Sequence, residues 1–425
     1  LEGELRCNAR AFSVGEAGYD HPPEHWNRSL HTDAPPEPEV AQVGDLTGYD
    51  ASPTQVVLHS GDVRIRLRPR VERALRVDFG PSGDFSTFGD SFAVTRSDWP
   101  SLDPLNVTDL AGEPLRIDGP GWSVDVERSP LRMTFLDDEG DVLFSEAPGR
   151  PMTAAGGLRT AAFTLNDTES IYGLGQHSIY RDLNLDRRGH MFTLDNEHQP
   201  PSRLLFPFWT SSDGYGVFLD NPANAELDIG ASESEVLQYR TLAGGEIRYY
   251  VYAGDSLYET LDLHTRVTGR PALAPRWTLG NLQSKYGYES FDEIQGIIDG
   301  FRSRSIPLDC IIIDLYWFGI ETMGNLDFQN TGNWANPETR LAEFRAQGIK
   351  TIPITEPQVT GLSFNQPELE AQGLLGERPE GGAYGFPLSW VTNNALTYLI
   401  DFTNPDARTW WKDKHEKLIV DYEQT

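Results

Sequence analysis
The stretch that decides the fold lies at residues 276–328: RWTLGNLQSKYGY (276–288), SFDEIQGIIDGFRSRSIP (290–307), LDCIIIDLYWFG (308–319) and MGNLDF (323–328). Its first and third pieces are short apolar runs that end in polar, aromatic-rich tails. The middle piece opens with Ser290 and Glu293 at capping-box spacing, which satisfies the free amides of a helix start. Phe291, Ile294, Ile297, Ile298 and Phe301 then share one helical face. Strand, amphipathic helix, strand is a βαβ unit with parallel strands and a right-handed crossover. In a parallel barrel the loops after the strand C-termini build the active site. Tyr286 and Tyr288 follow the first strand; Asp314, Tyr316 and Trp317 follow the second. Carboxylates hold hydroxyls and rings stack on C–H faces, so this rim suits a sugar.

Further along, Asn336-Pro337 starts another helix with Pro in its favoured first position. Leu341 and Phe344 face inward, Gly348 ends the helix, and residues 349–354 form the third strand, with Thr355, Glu356 and Pro357 at its C-terminal end. A Gly/Pro-rich insertion runs to about residue 394, and Asn404-Pro405 opens a last helix containing Trp410 and Trp411.

Before the barrel, residues 1–50 read as an irregular Pro- and acid-rich arm. Residues 51–270 hold short alternating runs (QVVLHS, DVRIRLRPRV, GWSVDVERS, LRMTFLDD) with turn signals between them, the pattern of a β-sandwich. Asp255 is the expected cap of a helix with a Leu257, Leu261, Val267 stripe, ended by Gly269. Pro271 and Pro275 mark the boundary, and the barrel segment takes in 271–425. Gly173 and Gly175 lack the rest of a phosphate-loop pattern and read as tight turns. His190, Asp195, Glu197 and His198 fit no familiar metal-ligand spacing; their segment reads as a long loop reaching over a neighbouring site.

Composition narrows the function. The 425 residues carry 64 acidic and 35 basic side chains, a net charge of −29. Five of the basic residues are lysines, four of them at or beyond Lys350. Nucleic acid and anionic membranes need a basic stripe, so neither is a partner. The Lys-poor acidic surface suits concentrated salt, although a GC-rich genome alone also favours Arg. No apolar run reaches 18 residues, so no helix is expected to span a bilayer. The sequence opens at Leu1 without a basic-then-apolar leader, as a processed or trimmed form would; a secreted or periplasmic setting is favoured over the cytoplasm. Cys7 and Cys310 are the two cysteines, too few for a disulfide framework; Cys310, inside a strand run, reads as a buried thiol.

Six stretches in one order, IYGLGQH, SSDGYGVFLDNP, 254–280, QSKYGY, IIIDLYWFG and IDFTNPDARTWW, resemble glycoside hydrolase family 31. MGNLDF and PITEP look most like its bacterial α-glucan 4-glucosyltransferases and related α-glucosidases. The resemblance implies a multidomain β plus α/β protein, an N-terminal β-sandwich followed by a (β/α)8 barrel and C-terminal β-domains. It implies retaining chemistry on an α-linked oligosaccharide or glucan, with no cofactor and no metal. The family's nucleophile and acid/base are expected beyond Thr425, so residues 1–425 alone are expected to be inactive and the rest of the polypeptide is their partner. Retaining hydrolysis needs two carboxyls about 5–5.5 Å apart, and Asp314, Glu356 and Asp401 are not promoted to that role. By position in the motifs, Asp314, Tyr286 and Trp317 resemble ligands of the −1 sugar. Glu356 stands where many relatives carry Asp, and Asp195 is the residue expected to reach in from the sandwich loop. Asp401 is expected to brace a strand–helix turn, Trp410 and Trp411 to pack in the core, and Arg276 and Trp277 to seal the barrel bottom. The competing reading of Asp314 is a buried carboxylate bonded to backbone amides. An α-xylosidase of the same family and a non-catalytic sugar-binding module are the alternatives for the whole.

Overall fold
Alternation in the sequence becomes sheet faces in the computed structural model. It describes residues 40–420 apart from 86–90, 92, 95, 177–184, 195–203, 222, 242–245, 320, 329–330, 379 and 389–394. The chain divides into two units, Leu1–Pro271 and Ala272–Thr425. In the first, strand Val63–Val71 turns Val63, Ile65 and Leu67 inward and Arg64, Arg66 and Arg68 outward. The same alternation builds an eight-stranded antiparallel sheet in the order Ile171–Gln176, Leu204–Ser211, Tyr215–Leu219, Ile247–Ala253, Ala74–Gly80, Val63–Val71, Gln55–Ser60, Gly48–Ser52. A six-stranded sheet runs from Val40–Gln42 to His190–Leu194, and a five-stranded sheet from Val142–Ser145 to Asn106–Thr108. The three share one core that includes Val56, Ile65, Val124, Phe135, Leu227 and Tyr249. Phe144 stacks on Phe135 at 4.7 Å and meets Tyr215 at 4.6 Å, tying two of the sheets together.

Several local expectations change here. Strands begin at Val40 and Gly48, inside the stretch read as an irregular arm, because Val40–Gln42 finds a partner in Thr153–Ala155. Gly173 and Gly175 are not turns: they sit in a strand whose register against Leu204–Ser211 shifts between them. Both have positive φ, and a Cβ on Gly175 would lie 1.9 Å from the Leu204 carbonyl oxygen; the glycines make a close-approach bulge. Helix α1 (Leu257–Thr268) is capped by Ser256, whose hydroxyl accepts from the Glu259 amide, and ends at Gly269. Asp255 is instead taken by Arg73. The buried face of α1 is Thr260, Leu263 and Val267, while Leu257 and Leu261 are exposed. Its face is set by packing, with Thr260 Oγ1 2.7 Å from Thr210 Oγ1 on the sheet.

In the second unit, strands Leu282–Ser284, Cys310–Ile313 and Lys350–Pro353 pair in parallel. Between them lie α2 (Phe291–Ser303) and α3 (Pro337–Ala346). Phe291, Ile294 and Ile298 of α2 are buried with Ile311, Ile313 and Leu341, as the sequence periodicity requires. Ser290 caps α2, its hydroxyl accepting from the Glu293 amide at 3.0 Å. Glu293 reaches back to the Glu289 amide at 2.8 Å and to Lys285, one residue short of a closed capping box. Residues Arg276–Leu279 form a 3-10 turn rather than strand, held by Thr278 Oγ1 donating to the Pro275 carbonyl at 2.7 Å. The Gly/Pro-rich insertion contains α4 (Gln366–Ala371) and the strands Gln358–Thr360 and Gly385–Phe386, both paired antiparallel with Thr397–Leu399 just beyond it. Helix α5 (Pro405–Val420) follows. Cys310 is buried and unpaired; burial, with Asp309 nearby, pushes its thiol up to about 11. Cys7 lies outside the described residues. Among these residues no helix is long and apolar enough to cross a membrane.

Candidate active site
Three adjacent parallel strands deliver three loops to one edge of the second unit. After the first strand come Lys285, Tyr286, Gly287 and Tyr288. Tyr286 is 69% exposed, a ring available to a ligand, whereas Tyr288 is fully buried. Lys285 Nζ donates to Glu293 Oε1 at 2.5 Å, which anchors this loop to the start of α2. Gly287 has φ 73°, and a Cβ there would lie 2.0 Å from Cε2 of Tyr316. Only glycine lets the Tyr316 ring rest on this backbone, so the first and second loops are joined.

The second strand, Cys310–Ile313, leads directly into Asp314. Its carboxyl is half-buried, and burial raises its pKa against the opposing pull of a hydrogen bond from the Leu315 amide. Among the described residues no cation pairs with it, so acceptor capacity stays open. The amide bond supports part of the competing structural reading; the remaining exposure leaves room for a ligand. A 3-10 turn, Tyr316–Phe318, follows. Trp317 differs from the expectation of a ring lining the subsite. It is fully buried between Phe318 and Phe328, with its indole N–H donating to the Ile354 carbonyl at 3.1 Å. Its apolar surface is consumed by this aromatic cluster, and it ties the second loop to the end of the third strand.

At the third strand's end, Glu356 is half-buried and accepts from Gln358 Nε2 at 2.5 Å. The neighbouring Thr355 hydroxyl lies 3.2 Å from His415 Nε2, a contact across 60 residues with no local sequence signal. Asp401 Oδ1 accepts from the Thr403 amide at 3.0 Å and its hydroxyl at 2.6 Å, bracing the turn into α5. Trp410 is buried, its N–H donating to Glu368, and Trp411 packs on the same core. Arg276 is exposed and Trp277 half-buried. Asp195, Glu197 and His198 lie outside the described residues. His190 sits on a strand paired with Ala225–Ile229. Tyr286, Asp314 and Glu356 therefore lie at the ends of three neighbouring strands, with Trp317 behind them. Strands in such a sheet are about 4.8 Å apart, a spacing on the scale of one sugar ring.

An antiparallel sandwich followed by parallel strand–helix repeats, with carboxylate and aromatic side chains at the strand ends, defines a class of multidomain barrel protein. Residues 271–424 match the glycosyl hydrolases family 31 TIM-barrel domain. Residues 57–228 match the glycosyl hydrolase 31 N-terminal galactose mutarotase-like domain. Alpha-glucosidase 2 of Bacillus thermoamyloliquefaciens is 27% identical over 88% of this chain and 47% of its own length. An alpha-xylosidase of Saccharolobus solfataricus is 30% identical over 59% of this chain and 35% of its own length. The Flavobacterium johnsoniae GH31 dextranase, solved in complex with glucose, superposes with a TM-score of 0.80 at 26% identity, over 89% of this chain and 47% of that one. The chain belongs to glycoside hydrolase family 31: it holds the N-terminal sandwich and the first part of the (β/α)8 barrel. It spans about half or less of these relatives' own length: 47% of the glucosidase, 35% of the xylosidase and 47% of the dextranase.

Proposed function
We propose that the full-length protein is a retaining glycoside hydrolase or transglycosylase acting on α-glucosides or α-glucans, of the α-glucosidase or 4-α-glucosyltransferase type. The observation that carries this reading is Asp314, a half-buried carboxylate with open acceptor capacity at the end of a parallel strand. Tyr286 on the preceding loop is exposed, and together they suit a sugar's hydroxyls and its C–H face. Glu356 and Asp195 complete the proposed set of ligands, with Trp317 supporting from behind. The sandwich domain is taken to include the strands Val40–Gln42 and Gly48–Ser52 ahead of residue 51, with 271–425 as barrel.

Glucosides are favoured over xylosides because the glucosidase relative aligns over 88% of this chain and the xylosidase over 59%. No carboxylate described here is assigned as nucleophile: Asp401 is engaged in its turn and Glu356 by Gln358. We therefore propose that residues 1–425 alone do not turn over substrate. The test is release of 4-nitrophenol from its α-glucoside and α-xyloside by the full-length protein and by residues 1–425. The reading predicts turnover of the glucoside by the full-length protein only. Preference for the xyloside would transfer the proposal to α-xylosidase. Inertness of the full-length protein toward both, or turnover by residues 1–425, would contradict it.

A further inference from the structure
The loop that begins at Asp314 carries backbone that leucine disfavours. Leu315 and Leu326 have φ of 50° and 52° while both side chains are buried. Such residues persist only where the surroundings over-determine them. Here the surroundings include two buried asparagines, Asn325 at 4% and Asn365 at 1% exposure. Asn365 Nδ2 donates to the carbonyls of Gly324 at 2.8 Å and Asn325 at 2.9 Å, and its Oδ1 accepts from Lys414 Nζ at 3.1 Å. Asn325 Nδ2 donates to the Phe318 carbonyl at 3.3 Å, and its Oδ1 accepts from the Phe364 amide at 3.0 Å. Gly324, with φ 93°, completes the contact: a Cβ there would lie 2.7 Å from Val359 Cγ2. A continuous set of buried hydrogen bonds thus runs from α5 through the insertion to Phe318, the last residue of the turn that follows Asp314. Buried amides that bond to more than one segment at once favour one geometry.

We propose that Asn325 and Asn365 are positioning residues: the insertion uses them to hold the Asp314 carboxylate in place, without touching substrate themselves. This rests on the reading of Asp314 as a sugar ligand. The two ideas separate in a double-mutant cycle on the full-length protein. Asn325→Asp keeps the side chain's size and its acceptor toward the Phe364 amide but removes the donor to Phe318. It is expected to lower kcat/KM for 4-nitrophenyl α-glucoside about tenfold, through kcat more than KM, since misplacement costs most in the transition state. In an Asp314→Asn background the same change should cost roughly threefold or less. Amide exchange of residues 315–326 should speed up while that of α2 does not. A normal kcat/KM, a penalty that persists undiminished without the Asp314 carboxylate, or unchanged exchange in that segment would overturn the proposal. Asn365→Ala should reproduce the pattern; should it fail to fold, Asn325→Asp decides alone. If the protein proves inert on every α-glycoside, the proposed function falls, and amide exchange still decides whether the clamp exists.

Discussion
Asp314 is where residue identity bears most directly on chemistry. Its position after three isoleucines was legible in the sequence, because an apolar parallel strand must end in a loop at the barrel mouth. Its openness was not, since that depends on which cations the fold brings near. Asp314→Asn keeps the shape, removes the charge and turns one acceptor oxygen into a donor. Loss of a charged hydrogen bond, about 1.5–3 kcal/mol, should lower kcat/KM of the full-length protein roughly tenfold to a hundredfold. Cooperative unfolding should survive, because the carboxyl makes no ion pair among the described residues. Near-normal kcat/KM would remove the ligand role, and loss of cooperative unfolding would make the group structural. Trp317 shows the limit of residue-level reading: an aromatic after a strand suits both a sugar platform and a core. Phe318, Phe328 and the Ile354 carbonyl choose the core, and of these Phe328 and Ile354 lie at separations no local pattern encodes.

Elements were legible where one face had to be buried and local chemistry agreed. The α2 stripe and the Ser290 cap both satisfy this; α1 does not, because Leu257 and Leu261 of the expected stripe are exposed and the sheet buries Thr260 and Leu263 with Val267 instead. Sheet joins are also invisible locally. Glu146 is the example: its backbone bridges to Phe163, its amide donates to the Met133 carbonyl at 2.9 Å, and its Oε2 accepts from the Met133 amide at 2.8 Å. One residue thereby stitches the strands Leu131–Leu136 and Leu158–Thr164. Its Oε1 is buried with no partner among the described residues. Burial, opposed by the Met133 amide and by Arg132, pushes its carboxyl up to about 7. An acid whose folded pKa lies above its unfolded value of 4.5 adds stability that is complete below that value and is lost as pH rises through about 7. The loss is on the order of 3 kcal/mol at about 1.4 kcal/mol per pH unit. The melting temperature of Glu146→Gln relative to the parent should therefore rise from pH 5 to pH 8. A difference that is flat across this range would show that Glu146 ionises without cost.

At the scale of the whole molecule, order along the chain was more informative than any single motif. Sandwich first and parallel strands second could be read because alternation with period two gives way to strand–helix repeats near residue 271. The order of strands in the three antiparallel sheets could not, since pairing between strands as distant as Ala74–Gly80 and Ile247–Ala253 is set by the shared core. The small antiparallel sheet at the insertion was hidden for the same reason: its strands are two or three residues long, too short for a period. The central claim, retaining chemistry on an α-glucoside, concerns the full-length protein and has a direct measurement. Proton NMR during the first turnovers of 4-nitrophenyl α-D-glucoside distinguishes the anomers of the released glucose before they interconvert. The account predicts that the α-anomer appears first; the β-anomer appearing first would contradict it.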